Sequence, residues 1–138
     1  MSESIYKNFN HLKIHSQYSI CEGAIKIDDL KNEAKKLKIK SLGLSDTSNL
    51  CGAIEFSEKL SKAGTQPIIG TQIHFKFEGI SGLLPLFALD KNGYKKIIEL
   101  SSKSFLDNDE ISEPHLNIND LLKLDSSGIS IFSGTVLG

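Results

Sequence analysis

The sequence predicts an α/β fold with mostly parallel strands alternating with helices. Short apolar runs recur near residues 12–16, 41–45, 67–75, 83–89 and 129–132, and helix-periodic segments separate most of them. Strands that alternate with helices pair in parallel through right-handed crossovers. Such a sheet must be covered on both faces or closed into a barrel. A complete β/α barrel takes ~250 residues, and 138 residues are present. The chain is therefore expected to supply part of a barrel. It carries no internal repeat and no low-complexity tract.

Each element has a local reason. Leu12 to Ser16 reads as a short strand after a polar leader. Ile27, Leu30, Ala34 and Leu37 recur at helical spacing, with Asp28 or Asp29 as the cap. Lys35, Lys36 and Lys38 gather at the end of that helix, where cations suit its dipole. Ser41 to Ser45 is a brief strand, and a second helix is expected from about Asn49 to Ala63, closed by Gly64. Pro67-Ile68-Ile69-Gly70 opens a strand that continues through Ile73 and Phe75. Gly79 to Gly82 is a turn and Leu83 to Leu89 an apolar strand. Pro85 cannot donate to a ladder, which places that strand at an edge or starts it later. Lys91-Asn92-Gly93 breaks it, and Tyr94, Ile97, Ile98 and Ser101 mark a third helix. After an acidic loop from Asp107 to Pro114, Asn117 or Asn119 caps a short helix with Leu121, Leu122 and Leu124. Asp125 to Gly128 is a turn before a last strand, Ile129 to Phe132. The sequence then stops at Gly138 directly after a strand, so residues 1–138 are expected to be the amino-terminal portion of a domain cut at its carboxyl end.

Composition narrows the function classes. All sixteen cationic side chains are lysine and the net charge is −1. Without arginine the chain lacks the bidentate fork that reads guanine edges, which argues against autonomous sequence-specific DNA binding. Lys35-Lys36 and Lys95-Lys96 read as solvated helix faces. Cys21 and Cys51 form no CxxC pair and read as free thiols. No apolar run approaches the ~20 residues of a membrane span, and residues 1–10 lack a secretory signal's apolar core. A cytoplasmic location is expected.

Two segments carry the chemistry, His11-Leu12-Lys13-Ile14-His15-Ser16-Gln17-Tyr18-Ser19 and Leu44-Ser45-Asp46-Thr47-Ser48-Asn49-Leu50-Cys51-Gly52. With Glu22-Gly23-Ala24 and Ile27-Asp28-Asp29-Leu30, the first resembles the beginning of the bacterial DNA polymerase III alpha subunits. The similarity continues in one register through Lys62-Ala63-Gly64, Pro67-Ile68-Ile69-Gly70, Asn92-Gly93-Tyr94, Ile98, Leu100-Ser101 and Ser133-Gly134. The module concerned is the PHP (polymerase and histidinol phosphatase) domain. The resemblance implies a distorted β/α barrel, TIM-like, with a trinuclear metal site at the carboxyl ends of its strands. There, histidines and carboxylates hold divalent ions that activate a water and neutralise a phosphate.

Position by position, most of the implied ligands are changed. The family's His-x-His pair falls on Lys13 and His15, and an ammonium repels a cation. The Asp-His-Gly motif stands as Asp46-Thr47-Ser48. The glutamate expected after Ile69-Gly70 falls at Gln72, the histidine of the next strand at Leu83, and the cysteine after Ser-Gly at Thr135. His15, Asp46 and Glu22, which stands where the family usually has aspartate, keep ligand chemistry. Three such groups without their neighbours hold an ion weakly. His15 is then expected to be a hydrogen-bonded strand-end histidine and Asp46 a loop carboxylate. His11 belongs to the general family pattern, while His74 and His115 match no ligand position and read as ordinary surface or strand residues. No metal and no cofactor are expected, and Mg, Mn or Zn would enter only if the site were still active.

The reading that follows is a structural and interaction module of a replicative polymerase with a degenerate metal site. The resemblance implies as partners the remainder of the alpha subunit, the proofreading exonuclease subunit, and DNA only through the full-length polymerase. The alternative is a metal-dependent phosphoesterase, including a stand-alone histidinol phosphatase, against which Asn49-Leu50-Cys51-Gly52 and Asn92-Gly93-Tyr94 speak. Polymerisation itself is not expected of this segment. Asp28-Asp29 is no two-metal pair, because a helix start explains it.

Overall fold

The computed structural model describes residues 9–108 and 111–133. Its elements run α1 (Ile27–Leu37), β1 (Ser41–Thr47), α2 (Ala53–Lys62), β2 (Gln66–Phe77), β3 (Ile80–Ala88), α3 (Lys91–Leu106), β4 (His115–Asn117), α4 (Ile118–Leu122) and β5 (Ile129–Ile131). The sheet order is β1-β2-β3-β5, with β4 also on β2. The β1–β2 and β2–β4 pairs are parallel, whereas β2–β3 and β3–β5 are antiparallel. The α/β architecture is thus as the sequence predicts, with less parallel pairing. The reason lies at Glu78-Gly79, where both residues take positive φ and turn β2 straight back on itself.

Pro85 tolerates an interior strand for a specific reason. Its carbonyl accepts from Phe132 N at 3.0 Å, so its missing donor falls on the β5 side, past the ladder that pairs Leu86–Ala88 with β5. The segment 11–16 is not a regular strand. It touches β1 through a bridge at His11 and the bonds Gly43 N to His11 O (2.8 Å) and Ser45 N to Ile14 O (2.9 Å). Three residues of this segment span two of β1, and the extra one folds into a tight turn, Ile14 N to Leu12 O.

One face of the sheet carries the helices. Leu42, Leu44, Phe56, Leu60 and the α1 residues Ile27, Leu30 and Ala34 form one buried cluster, joined by Ile69. Ile73, Phe75, Leu86, Ile97, Leu100, Leu116 and Ile129 form a second. Residues 69, 73 and 75 alternate along β2 onto this face, which leaves 70, 72 and 74 for the other. On that other face Phe87 lies over Gly70, where a Cβ would sit 2.4 Å from the Phe87 ring.

Helix α1 starts at Lys26 with no side-chain cap, and Asp28 and Asp29 lie in the first turn instead. Asp28 is used between helices: Lys59 of α2 holds it at 2.7 Å and Glu55 at 2.7 Å. Helix α2 begins at Ala53, later than the sequence suggests, because Asn49 is engaged in the turn before it. Lys91-Asn92-Gly93 forms the first turn of α3 rather than a break, capped by Asp90, which accepts from Gly93 N at 2.8 Å. Helix α4 carries a full capping box on Asn117 and Asp120. Lys96 binds the 125–128 turn through Asp125 and Ser127. No described helix is long and apolar enough to cross a membrane.

Two outcomes test this packing. A Cβ on Gly93 would lie 1.7 Å from Gly128 O, so Gly93→Ala should cost about 2–3 kcal/mol in urea denaturation. Gly82→Ala, with open space around it, should change stability by less than about 0.5 kcal/mol. The Lys59 ammonium, and for Glu55 also the Tyr18 hydroxyl, hold the Asp28 and Glu55 carboxyls below their ordinary values of 3.8 and 4.5. Depressed carboxyls stabilise the fold above those values and cease to as pH falls through the folded-state values. Thermal melts should therefore show a decline in acid that begins around the ordinary values and is smaller in Lys59→Met.

Candidate functional site

The carboxyl end of β1 is organised around one carboxylate. Asp46 is 1% exposed, and a charge so placed must be met by donors. Its Oδ1 accepts from Ser16 N at 2.6 Å and from Ser19 Oγ at 2.9 Å, and its Oδ2 from Ser16 Oγ at 2.7 Å. Each serine is also an acceptor, Ser16 Oγ from Tyr18 N (3.2 Å) and Ser19 Oγ from Thr47 N (3.0 Å). Residues 16–19 thereby wrap around the anion. Asn49 locks the wrap from outside by donating to Tyr18 O and Thr47 O, both at 3.0 Å. Gly52, just ahead of α2, leaves room for the carboxylate: a Cβ there would lie 3.3 Å from Asp46 Oδ2. Asp46 is a buried strand carboxylate, not the loop carboxylate the sequence suggests.

Next to it stand four of the positions where the resemblance puts ligands, His15, Glu22, Thr47 and Gln72. Thr47 and Gln72 are partners in the β1–β2 register. Gln72 Nε2 donates to Thr47 Oγ1 at 2.7 Å, and Thr47 Oγ1 donates to the Glu22 carboxylate. Glu22 also lies 3.6 Å from His15 Nδ1. That nitrogen and Gln72 Oε1 are buried without a hydrogen-bond partner. His15 therefore departs from the expected hydrogen-bonded strand-end histidine: its ring faces Glu22 beyond hydrogen-bond reach, from a segment that is not a strand.

The remaining positions are more scattered. Lys13 is exposed. Leu83 is half-buried and pairs with His74, so both share the face of Gln72. His74 is not idle, since its Nε2 lies 3.0 Å from Glu113. His115, beside it in the β2–β4 register, has its Nδ1 2.8 Å from Glu113 O. Thr135 lies outside the described residues. Sequence reasoning missed Ser16 and Ser19 as the groups that satisfy Asp46, and Asn49 as the residue that locks them in place. Two serines flanking Tyr18 upstream of a lone Asp were the available signal.

A groove of about 320 Å³ opens here, lined among others by Tyr18, Ser19, Glu22, Thr47, Asn49 and Glu113. Its charged lining residues are carboxylates, so a phosphate entering it would meet negative charge. The Tyr18 hydroxyl donates to Glu55 at 2.7 Å, and that bond holds its pKa above the ordinary value. The tyrosine is thus a donor at neutral pH and no general base. The residues present do not fit a metal cluster. Both oxygens of Asp46 already accept hydrogen bonds in a site closed to solvent, the oxygens of Thr47 and Gln72 are uncharged, and no group of three His, Cys, Asp or Glu among the described residues could hold an ion.

Removing the central anion tests its role. Asp46→Ala strands three buried donors and should cost about 3 kcal/mol or more in chemical denaturation. Ser19→Ala, which removes one donor, should cost about half as much.

Comparison with known proteins gives the arrangement its context. The model of the PHP domain family matches residues 11–138. The DNA polymerase III subunit alpha of Caulobacter vibrioides is 40% identical over 83% of this chain, and that of Borreliella burgdorferi 36% identical over 98%. The aligned parts are 11% and 13% of those proteins, so the chain spans about a tenth of the length of the curated relatives it matches. Among solved structures, a protein from Bifidobacterium adolescentis designated a metal-dependent phosphoesterase superimposes with a TM-score of 0.56. It is 21% identical and covers 69% of this chain and 32% of its own. That likeness speaks to fold alone. The chain belongs to the PHP domain family.

Proposed function

We propose that the chain is the amino-terminal PHP segment of a replicative DNA polymerase, acting as a structural and interaction module with a degenerate metal site. The whole polypeptide, on this reading, is a DNA polymerase III alpha subunit that synthesises DNA in the cytoplasm. Support comes from the alpha subunits that align with nearly the whole chain at 36–40% identity. DNA is then contacted by the rest of the polypeptide, in keeping with the near-neutral, arginine-free composition of this part. The proofreading exonuclease subunit is the proposed docking partner.

One observation carries the degenerate-site reading. The Asp46 carboxylate has both oxygens occupied by serine donors, while Lys13, Thr47, Gln72 and Leu83 occupy ligand positions. An ion at this end of β1 would find Glu22 as its anionic partner and His15 as its nitrogen donor, too few for a two-metal mechanism. Thr135 is counted with the vestigial positions by sequence alone. The phosphoesterase alternative would need those ligands restored.

Metal analysis of the purified full-length polypeptide tests this directly. The expected result is substoichiometric metal, no phosphodiester hydrolysis with Mn²⁺ or Zn²⁺ from this module, and co-elution with the cognate exonuclease subunit. Two or three ions per chain with metal-dependent turnover lost in Glu22→Ala would overturn it.

A further inference from the structure

We infer that a hydrogen-bond relay, Gln72 to Thr47 to Glu22, fastens the loop of residues 19–23 over the end of β1 without any bound cation. The inference rests on the reading that this site holds no metal.

The direction of the relay is fixed by chemistry. An amide nitrogen can only donate and a carboxylate can only accept. The Thr47 hydroxyl between them must therefore accept the Gln72 N–H hydrogen bond and donate its own O–H to Glu22. Gln72 is 2% exposed and anchored in the middle of β2, so the relay's root is rigid. Its tip ends on a charge, which strengthens the terminal bond and polarises the one behind it.

The loop needs such a tie. Cys21 sits at φ 67°, Ile20 is 85% exposed, and Gly23 presses on the 15–16 backbone, where a Cβ would lie 2.1 Å from Ser16 O. Glu22 N and Gly23 N both donate to Ser19 O, at 3.1 and 2.9 Å. Among residues 20–24, Glu22 is the described side chain that reaches the sheet.

The departures from the family pattern therefore depend on each other. An ionised glutamate at 72 would have no proton to give, and the relay would break at its first step. Glutamine at 72 and threonine at 47 together supply the donor and the through-passing hydroxyl that end on Glu22.

Hydrogen–deuterium exchange of the full-length polypeptide, with EDTA or with excess Mn²⁺, decides it. Wild-type protection of the Glu22 and Gly23 amides should be the same in both. Thr47→Val and Glu22→Ala should raise their exchange roughly tenfold or more, by loss of a charge-assisted bond, while Thr47→Ser keeps the protection. Glu22→Ala trims a partly exposed side chain, and unchanged exchange in α3 will certify that the fold is intact. Wild-type protection in both Thr47→Val and Glu22→Ala would overturn the relay and leave the metal-free reading standing. Equal loss in Thr47→Ser and Thr47→Val would assign the effect to packing and also overturn it. Protection that rises with Mn²⁺ and falls with EDTA would overturn both.

Discussion

A single buried carboxylate sets the terms for this end of the molecule. Asp46 lies at the carboxyl end of β1 and under the start of α2, where an unpaired charge would cost several kcal/mol. A segment that brings three donors at once offsets that cost. Residues 16–19 bring a backbone N–H and two hydroxyls. This explains why a polar stretch with little regular structure is nonetheless held against the sheet. Asn49 and Tyr18 are the outer fittings of the same arrangement, and through Glu55 they connect it to the Lys59 pairing between α1 and α2.

The same geometry gathers a second set of polar side chains at this end of the sheet. A barrel strand end delivers side chains to one place whatever those side chains are. In this chain that place holds a hydroxyl, an amide and one carboxylate joined to each other. Gln72 Nε2, Thr47 Oγ1 and the Glu22 carboxylate are engaged with one another, whereas His15 Nδ1 and Gln72 Oε1 are left without a hydrogen-bond partner. Gln72, at 2% exposure, depends on Thr47 as the partner of its amide N–H.

Much of the fold was legible from residue patterns. Ile27, Leu30 and Ala34 announce the buried stripe of α1, and Asn117 with Asp120 announces a capped helix. The 41–47 and 66–77 strands stand out by their apolar runs. Pairing was legible only in part. The short turn read at Gly79 to Gly82 was itself the signal of an antiparallel return, since a parallel crossover takes a dozen or more residues, and Gly93 reads as a breaker until Gly128 is seen pressed against it. At the site, resemblance drew attention to Thr47, Gln72 and Leu83, and the structure joins the first two by a hydrogen bond. The burial of Asp46 was not visible, because it depends on Ser16 and Ser19 arriving from thirty residues upstream.

The central position of β2 has a consequence for the order in which the chain assembles. β2 pairs with β3 through a two-residue turn, with β1 across α2, and with β4 across all of α3. Closing a short loop costs less chain entropy than closing a long one. The hairpin is thus the natural nucleus, and the parallel neighbours add to a strand already set. A nascent chain would pass through a stage in which the hairpin is set while the Asp46 carboxylate is still bathed in water.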